Sequence, residues 1–454
     1  MVSIVRGAGV WFVALVALSS AAGAQVLERI SVSSAEDGGN EISEISCRAA
    51  PMSSDGRYVV FQSEASNLVG DDGNGVTDVF LRDRVLGTTT RVSVDLSGND
   101  GDGASLHPCI TPDGRYVVFQ SDATDLVVGD INGEADVFIR DLSLQTTTRV
   151  SLDLAGEECD GGSRIPSISA DGRYVAFISN ATDLVVADGN GVADIFLRDL
   201  QLGTNERVSV DTMGGDPDLN SWTPDISADG RYVMFHSAAN DLVPGDGGMV
   251  DIFVRDRQLS QTIRVTGDFM GGDPDGNSYG ANISADGRHV AFWSRATDLV
   301  TDDTNGLEDV YVHDLDSSTT VRASLRSDGS QITDLPSWSN SLSEHGRFVV
   351  YFADSDQLLD EDANGVADVF ALDRATGNLF LLNRSANGDQ ANNWSSNPLV
   401  TADGHYVLFE SDASNLVDDD TNGTGDVFLC RGPAFVFEDG FESGDTTAWS
   451  NTVP

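Results

Sequence analysis

The sequence predicts an all-β protein: a seven-bladed β-propeller of four-stranded antiparallel blades, closed by the N-terminal strand. The first observation behind this is a repeat. Aligned on the glycine of its D-G-R turn, one unit appears at Gly56, Gly114, Gly172, Gly230, Gly287, Gly346 and Gly404, at spacings of 58, 58, 58, 57, 59 and 58 residues, and a fixed period of this size marks a propeller or an array. The second is the content of the unit. Between Pro166 and Asp211 lie four short apolar runs, Pro166–Ser169, Tyr174–Ser179, Asp194–Arg198 and Glu206–Asp211, separated by turn residues, which is the make-up of a four-stranded blade. The third concerns closure. After Gly404 only Tyr406–Ser411 and Asp426–Arg431 follow, whereas Glu28–Ser33 (ERISVS) matches the fourth-strand segment Glu206–Asp211 (ERVSVD). The first strand of the processed chain therefore completes the last blade, and the ring has no open sheet edge.

Taken in order, Met1–Ala24 carries one positive charge (Arg6), an apolar stretch from Val10 to Leu18 and the small-residue end Ala22-Gly23-Ala24. These are the parts of a secretory signal. The apolar stretch is too short to span a bilayer. Residues 25–432 form the propeller, and residues 433–454 break the period as a C-terminal tail, read as a sorting or docking segment. Within each unit the Asp-Gly dipeptide makes a tight turn. The second run, such as Tyr174-Val175-Ala176-Phe177, is apolar without alternation, as in a strand buried on both faces.

Composition bounds the partners. The chain has a formal net charge of −47, and all 26 of its basic residues are arginine. Nucleic acid is excluded as a partner because phosphates need a basic footprint. A cation, a basic partner or a saline surrounding fits, as does an acidic surface that only confers solubility. An exported chain permits disulfides. Cys47, Cys109 and Cys159 fall near one face of the first three blades, so one bridge among them is expected, and Cys430 falls far from them at a strand end.

The unit, written PSISADGRYVAF, PDISADGRYVMF and NISADGRHVAF, resembles the TolB-type propeller repeat, the PD40 or WD40-like family. The resemblance covers Glu28 to Arg431. Blade six departs from it with Glu344-His345-Gly346, and blade seven with His405 in place of arginine. The resemblance implies a propeller, and a family of periplasmic binding and assembly proteins and of propellers fused to peptidases. Fold alone does not transfer a function.

Three candidate sites follow. The first is the loop between second and third strands, D-x-N-G-x-x-D in six blades: Asp72/Asn74/Asp78, Asp130/Asn132/Asp136, Asp188/Asn190/Asp194, Asp303/Asn305/Asp309, Asp362/Asn364/Asp368 and Asp420/Asn422/Asp426. Asp360 and Asp418 extend the last two. Alternating oxygens on a tight loop suit Ca2+, so Asp360, Asp362, Asn364, Asp368, Asp418, Asp420, Asn422 and Asp426 are the metal candidates. The same residues also build Asx turns with no ion. The second site is a surface: these loops and the acidic fourth-to-first loops share a face, and the D-G-R arginines fall on the other. The third is the axial channel mouth on the acidic face. There the residue at the start of each inner strand varies, and Arg48, Arg164, Trp222, Tyr279 and Trp338 offer stacking and forked hydrogen bonds. Inter-blade packing is the plainer use for them.

No G-x-S-x-G, H-E-x-x-H or C-x-x-C motif is present. The reading is an exported monomeric binding or scaffold protein, periplasmic, secreted or cell-surface associated, with a protein, peptide or carbohydrate ligand at its acidic face. The alternative is an enzyme, a hydrolase or lyase, acting on extracellular polysaccharide or peptide at the channel mouth.

Overall fold

The computed structural model describes residues 27–47 and 50–431, with backbone only at 339 and 340. The signal segment, Arg48 and the C-terminal tail lie outside the described residues. Seven four-stranded antiparallel sheets form the ring. In blade three, which stands for the others, the strands are Ser163–Ile168, Tyr174–Ser179, Asp194–Asp199 and Thr204–Arg207, ordered from the axis outward. Closure is as expected: Leu27–Arg29 pairs antiparallel with the strand Asp426–Arg431, in register Leu27↔Cys430 to Arg29↔Phe428.

The D-G-R-Y segment explains how blades attach to one another. In blade three the Ser169 hydroxyl donates to Asp171, whose carboxylate also receives the Arg173 N–H. Gly172 sits at φ 71°, and a Cβ there would lie 2.7 Å from the Tyr116 ring of the preceding blade. The turn therefore needs glycine twice, for the left-handed backbone and for the close approach. Arg173 forks onto Asp199 at the end of the third strand and stacks over Tyr174 at 4.7 Å. The turn survives where its sequence departs: Phe348 N–H bonds Ser343 Oγ in blade six, and His405 N–H bonds Asp403 in blade seven.

The core lies between blades. Val60 and Val79 of blade one share a buried cluster with Ile110, Phe119 and Phe138 of blade two. Ile30, beyond the closing strand, packs with Phe61 and Phe80 of blade one and Leu408 of blade seven. Each sheet thus buries both faces only when both neighbours are present. Cys47 and Cys109 form the bridge, joining the inner segments of blades one and two. Cys159 is a buried thiol, pushed up to about 12 by burial.

Two strand boundaries differ from the sequence reading. Inner strands start about three residues earlier, because a bulge interrupts the pairing between Arg164 and Ser167 and its counterparts. Outer strands stop at their arginine. Two residues further on a serine hydroxyl replaces the ladder carbonyl, so that Val79 N–H bonds Ser93 Oγ at 3.0 Å. The closing strand likewise ends at Arg29, and Val427 N–H bonds Ser31 Oγ at 3.1 Å.

Candidate functional site

The loops between second and third strands do share a face with the fourth-to-first loops: Gly73 N–H donates to Asp100 and Asn74 Nδ2 to Gly101 O. The D-G-R arginines lie at the opposite end, but each forks onto a third-strand carboxylate, as Arg57 does on Asp83 and Arg231 on Asp256. That end is therefore charge-balanced rather than basic, and the polarity of the disc comes from the acidic end alone.

Inside the D-x-N-G-x-x-D loops the asparagine makes the Asx turn. Asn74 Oδ1 accepts from Val76 N–H, and Asn422 Oδ1 accepts from Thr424 N–H. The two aspartates turn inward, and Asp78, Asp136 and Asp194, which open the third strands, are fully buried. Carboxylates of Asp130, Asp136 and Glu158, and of Asp246, Asp251 and Asp273, come within 4.8 Å of one another, a spacing that could hold a metal ion. Each cluster also surrounds an arginine from the outer strand. Arg149 reaches Asp130 at 3.3 Å, Asp136 at 3.3 Å and Glu158 at 2.8 Å. Arg91 does the same with Asp72, Asp78 and Asp100, Arg207 with Asp188, Asp194 and Asp216, and Arg264 with Asp246 and Asp273. Arg322 contacts Asp303 and Asp309.

In blade seven the closing strand supplies this cation. Arg29 lies 3.5 Å from both Asp420 and Asp426, and its guanidinium also reaches the Asp419 carbonyl. Of the metal candidates there, Asp420 and Asp426 are thus paired with a guanidinium, and Asn422 donates to Asp426. Asp418 is exposed. Blade six is the exception: Leu381 holds the arginine's register position opposite Phe370. There Asp362 and Asp368 are buried, and Asp360 is exposed. Asn364 makes its Asx turn to Val366.

The plugged carboxylates set a pH dependence. Burial outweighs the nearby serine and arginine and raises Asp78, Asp136 and Asp194 to about 6. A raised carboxyl contributes stability below its unfolded value and loses it as pH climbs through the folded one. The fork carboxylates run the other way: hydrogen bonds from arginine hold Asp83, Asp141, Asp199 and Asp256 below the ordinary value, so their contribution is lost only as pH falls past it. Both sets are satisfied together near the ordinary aspartate range, so thermal stability is expected to peak at about pH 4–5 and decline toward neutrality. A melting profile in high salt, which screens the net negative charge, tests this. A midpoint rising steadily from pH 5 to 8 would contradict it.

At the axis on the acidic face, a polar cavity of about 220 Å³ is lined by Glu44, Ile45, Ser46, Cys47, His107, Ile165, Thr223, Asn397, Leu399 and Glu410. The bulge builds it. His107, Ile165, Thr223 and Asn397 occupy one repeat position, each with φ near +50° (55°, 52°, 50° and 48°), a conformation that non-glycine residues hold only under constraint. The sequence reading took the residue just before this position. Those side chains pair across the blade instead: Tyr279 stacks on Trp293 at 5.0 Å and Trp338 on Phe352 at 5.6 Å. Trp222 sits opposite His236, and Arg164, exposed, opposite Ile178. None of the four lines this cavity. A one-residue bulge cannot be read from the pattern, although the prolines at 108, 166, 224 and 398, each directly after the strained position, were a signal.

Apart from Thr223 of blade four, the cavity's polar side chains come from blades seven, one and two. Glu410 accepts from Ile45 N–H at 2.6 Å and from Asn397 Nδ2 at 2.8 Å, and burial raises its carboxyl to about 7. Glu44 accepts from Gln62 Nε2 at 2.9 Å, and Gln62 Oε1 in turn accepts from His107 N–H. His107 Nδ1 lies 3.1 Å from Ser46 O. Toward the other face the channel becomes mostly apolar, lined by Met52, Ile110, Ile168, Ile226, Ile283, Leu342 and Val400.

The chain matches no family model and no curated protein. Among solved structures, it is similar to an oligogalacturonate lyase in complex with manganese, at 12% identity and TM-score 0.55, over 90% of this chain and 94% of that one. The oligogalacturonate lyase of Vibrio parahaemolyticus gives 14% and 0.55, over 90% and 97%. A TolB protein of Agrobacterium tumefaciens gives 18% identity, over 76% and 94%, at a TM-score of 0.39. At these identities the likeness shows the propeller fold alone.

Proposed function

We propose that this chain is an exported binding protein of the TolB-like kind, which takes a carbohydrate or peptide ligand at the polar axial cavity of its acidic face. The observation that carries the reading is an asymmetry. The second-strand residue at this level is Gln62, Gln120, Ile178, His236, Trp293, Phe352 and Glu410 in blades one to seven. The ring needs only shape there, yet a carboxylate and two amides fall in consecutive blades, seven, one and two, on one side of the axis, with Glu44 and His107 beside them. They are held by hydrogen bonds before any ligand arrives, and such preorganisation favours recognition. Acceptors dominate, so the ligand presents hydroxyl or ammonium donors, and the acidic surround steers a cationic one.

The second reading is an enzyme on extracellular polysaccharide, and one observation favours it. Glu410 titrates near neutrality beside a second carboxylate, Glu44, as a general acid or base does. Titrating uronate-containing and neutral oligosaccharides and cationic peptides into the protein, with product analysis on each, separates the two. Binding without turnover is expected, weakened about 10-fold or more by Glu410→Gln, in line with a charged hydrogen bond of ~1.5–3 kcal/mol. Turnover lost in Glu410→Gln would establish the enzyme. No binding by any probe would remove both.

A further inference from the structure

We propose that blade six holds a divalent cation, Ca2+ by its oxygen donors, between Asp362 and Asp368 in the place that arginine fills in the other blades. The argument rests on a comparison within the ring. In blades one to five and seven, an arginine of the outer strand lies among the loop carboxylates. In blade six that residue is Leu381, which carries no charge. Its two carboxylates have not been exchanged for apolar groups to match. Asp368 is 0% exposed and Asp362 is 5% exposed.

Asp368 Oδ1 accepts from Asn383 Nδ2, which replaces the serine, or in blade four Thr266, of the other blades. Its Oδ2 is buried and has no hydrogen-bond partner. In blades one, two, five and seven this oxygen faces the guanidinium, at 3.2, 3.3, 3.5 and 3.5 Å. Arg384 does not stand in for the missing cation. It pairs with Glu361 at the surface, at 3.3 Å. Gln390 approaches Asp362 Oδ1 at 3.2 Å through its amide nitrogen, and so places an amide group at the rim.

Two buried carboxylates side by side are costly unless a proton or a cation joins them. Hard oxygen donors on a tight loop, open to water through exposed Asp360 and Glu361, select calcium over softer metals. An affinity of about 10⁻⁴–10⁻³ M matches extracellular sites with few charged ligands.

The test is calcium binding to the full-length protein by calorimetry at pH 7.5 in 150 mM NaCl, with magnesium as comparator and melting as a second readout. The expected result is one ion per chain and a melting temperature raised by a few degrees. Leu381→Arg is expected to abolish the binding and to raise the calcium-free melting temperature, since it installs the cation that other blades carry. Asp362→Asn, nearly isosteric, is expected to abolish binding without that gain, and it decides the matter if the arginine variant fails to fold. Absence of saturable binding in the wild type would overturn the proposal and leave a shared proton as what joins the pair. Binding unchanged in Asp362→Asn would overturn it equally, by placing the ion elsewhere.

Discussion

Arg149→Leu is expected to destabilise the ring by about 3–5 kcal/mol at pH 8, the usual cost of removing one partner from a buried ion pair. The side chain is 6% exposed, and the carboxylates it joins, Asp130, Asp136 and Glu158, are 2%, 0% and 13% exposed. Without the guanidinium three acids within 4.8 Å of one another face each other in a low-dielectric seam. They respond by taking up protons, so Asp130 and Asp136, already raised by burial, rise further, and Glu158 loses the arginine that helps hold it low. Stability of this variant relative to the parent should therefore recover as pH falls toward 5, because what a raised carboxyl contributes is complete below its unfolded value and is lost as pH climbs through the folded one. Arg149→Lys should fall between the two, since an ammonium keeps the charge but cannot fork across three carboxylates. Urea unfolding at pH 5 and pH 8 reads all three. A loss below about 1 kcal/mol at pH 8, or one indifferent to pH, would mean that the pair adds no more than an exposed salt bridge.

This network also explains what the sequence revealed and what it withheld. The blades were legible because the D-G-R-Y turn is local: its serine, aspartate and glycine bond within five residues, and the repeat shows the pattern seven times over. Ring closure was legible for the same reason, since ERISVS is an outer strand displaced to the other end of the chain. The meaning of the arginines was not. Their recurrence in ERVSVD was visible, in register with D-x-N-G-x-x-D, and so was their replacement by Leu381 in blade six. But the partners lie 9 to 19 residues apart, as in Arg91 with Asp100 and Arg207 with Asp188, and in blade seven they lie at opposite ends of the sequence. Read as a linear loop, the acids suggest a metal, above all in blades six and seven. Read in the sheet, most of them already hold a cation. The absence of lysine has the same source: an arginine fork can join two or three buried carboxylates, and a point charge cannot. The side chains that line the axial cavity stand one residue beyond those the pattern points to, because a bulge shifts which side chain faces the axis while leaving the alternation of the strand intact on either side of it.

Removing the Cys47–Cys109 bridge, as the double alanine variant, is expected to cost about 4 kcal/mol. A closed loop spanning 62 residues gives that value in the chain-entropy account. The location adds a local effect. Inner strands elsewhere run six residues, but in blade one only Ser43–Glu44 is regular, paired with Ser63 and Gln62. The ladder then lapses until the bridge of Met52 to Val59. Cys47 sits in this gap, and the disulfide ties it to the inner strand of blade two, beside the contacts of Ile110 N–H with Ala50 O and of His107 Nδ1 with Ser46 O. The residues just before it, Glu44, Ile45 and Ser46, form one wall of the axial cavity. The variant should therefore show faster amide exchange over residues 45–52 than elsewhere in the ring, together with weaker binding at the mouth. Cys159 gives the control: it is buried and its thiol is pushed up to about 12, so it forms little thiolate and its replacement by alanine should leave both readouts nearly unchanged. Equal unfolding midpoints for the parent and the double variant would show that the seam between the first two blades is held by packing alone.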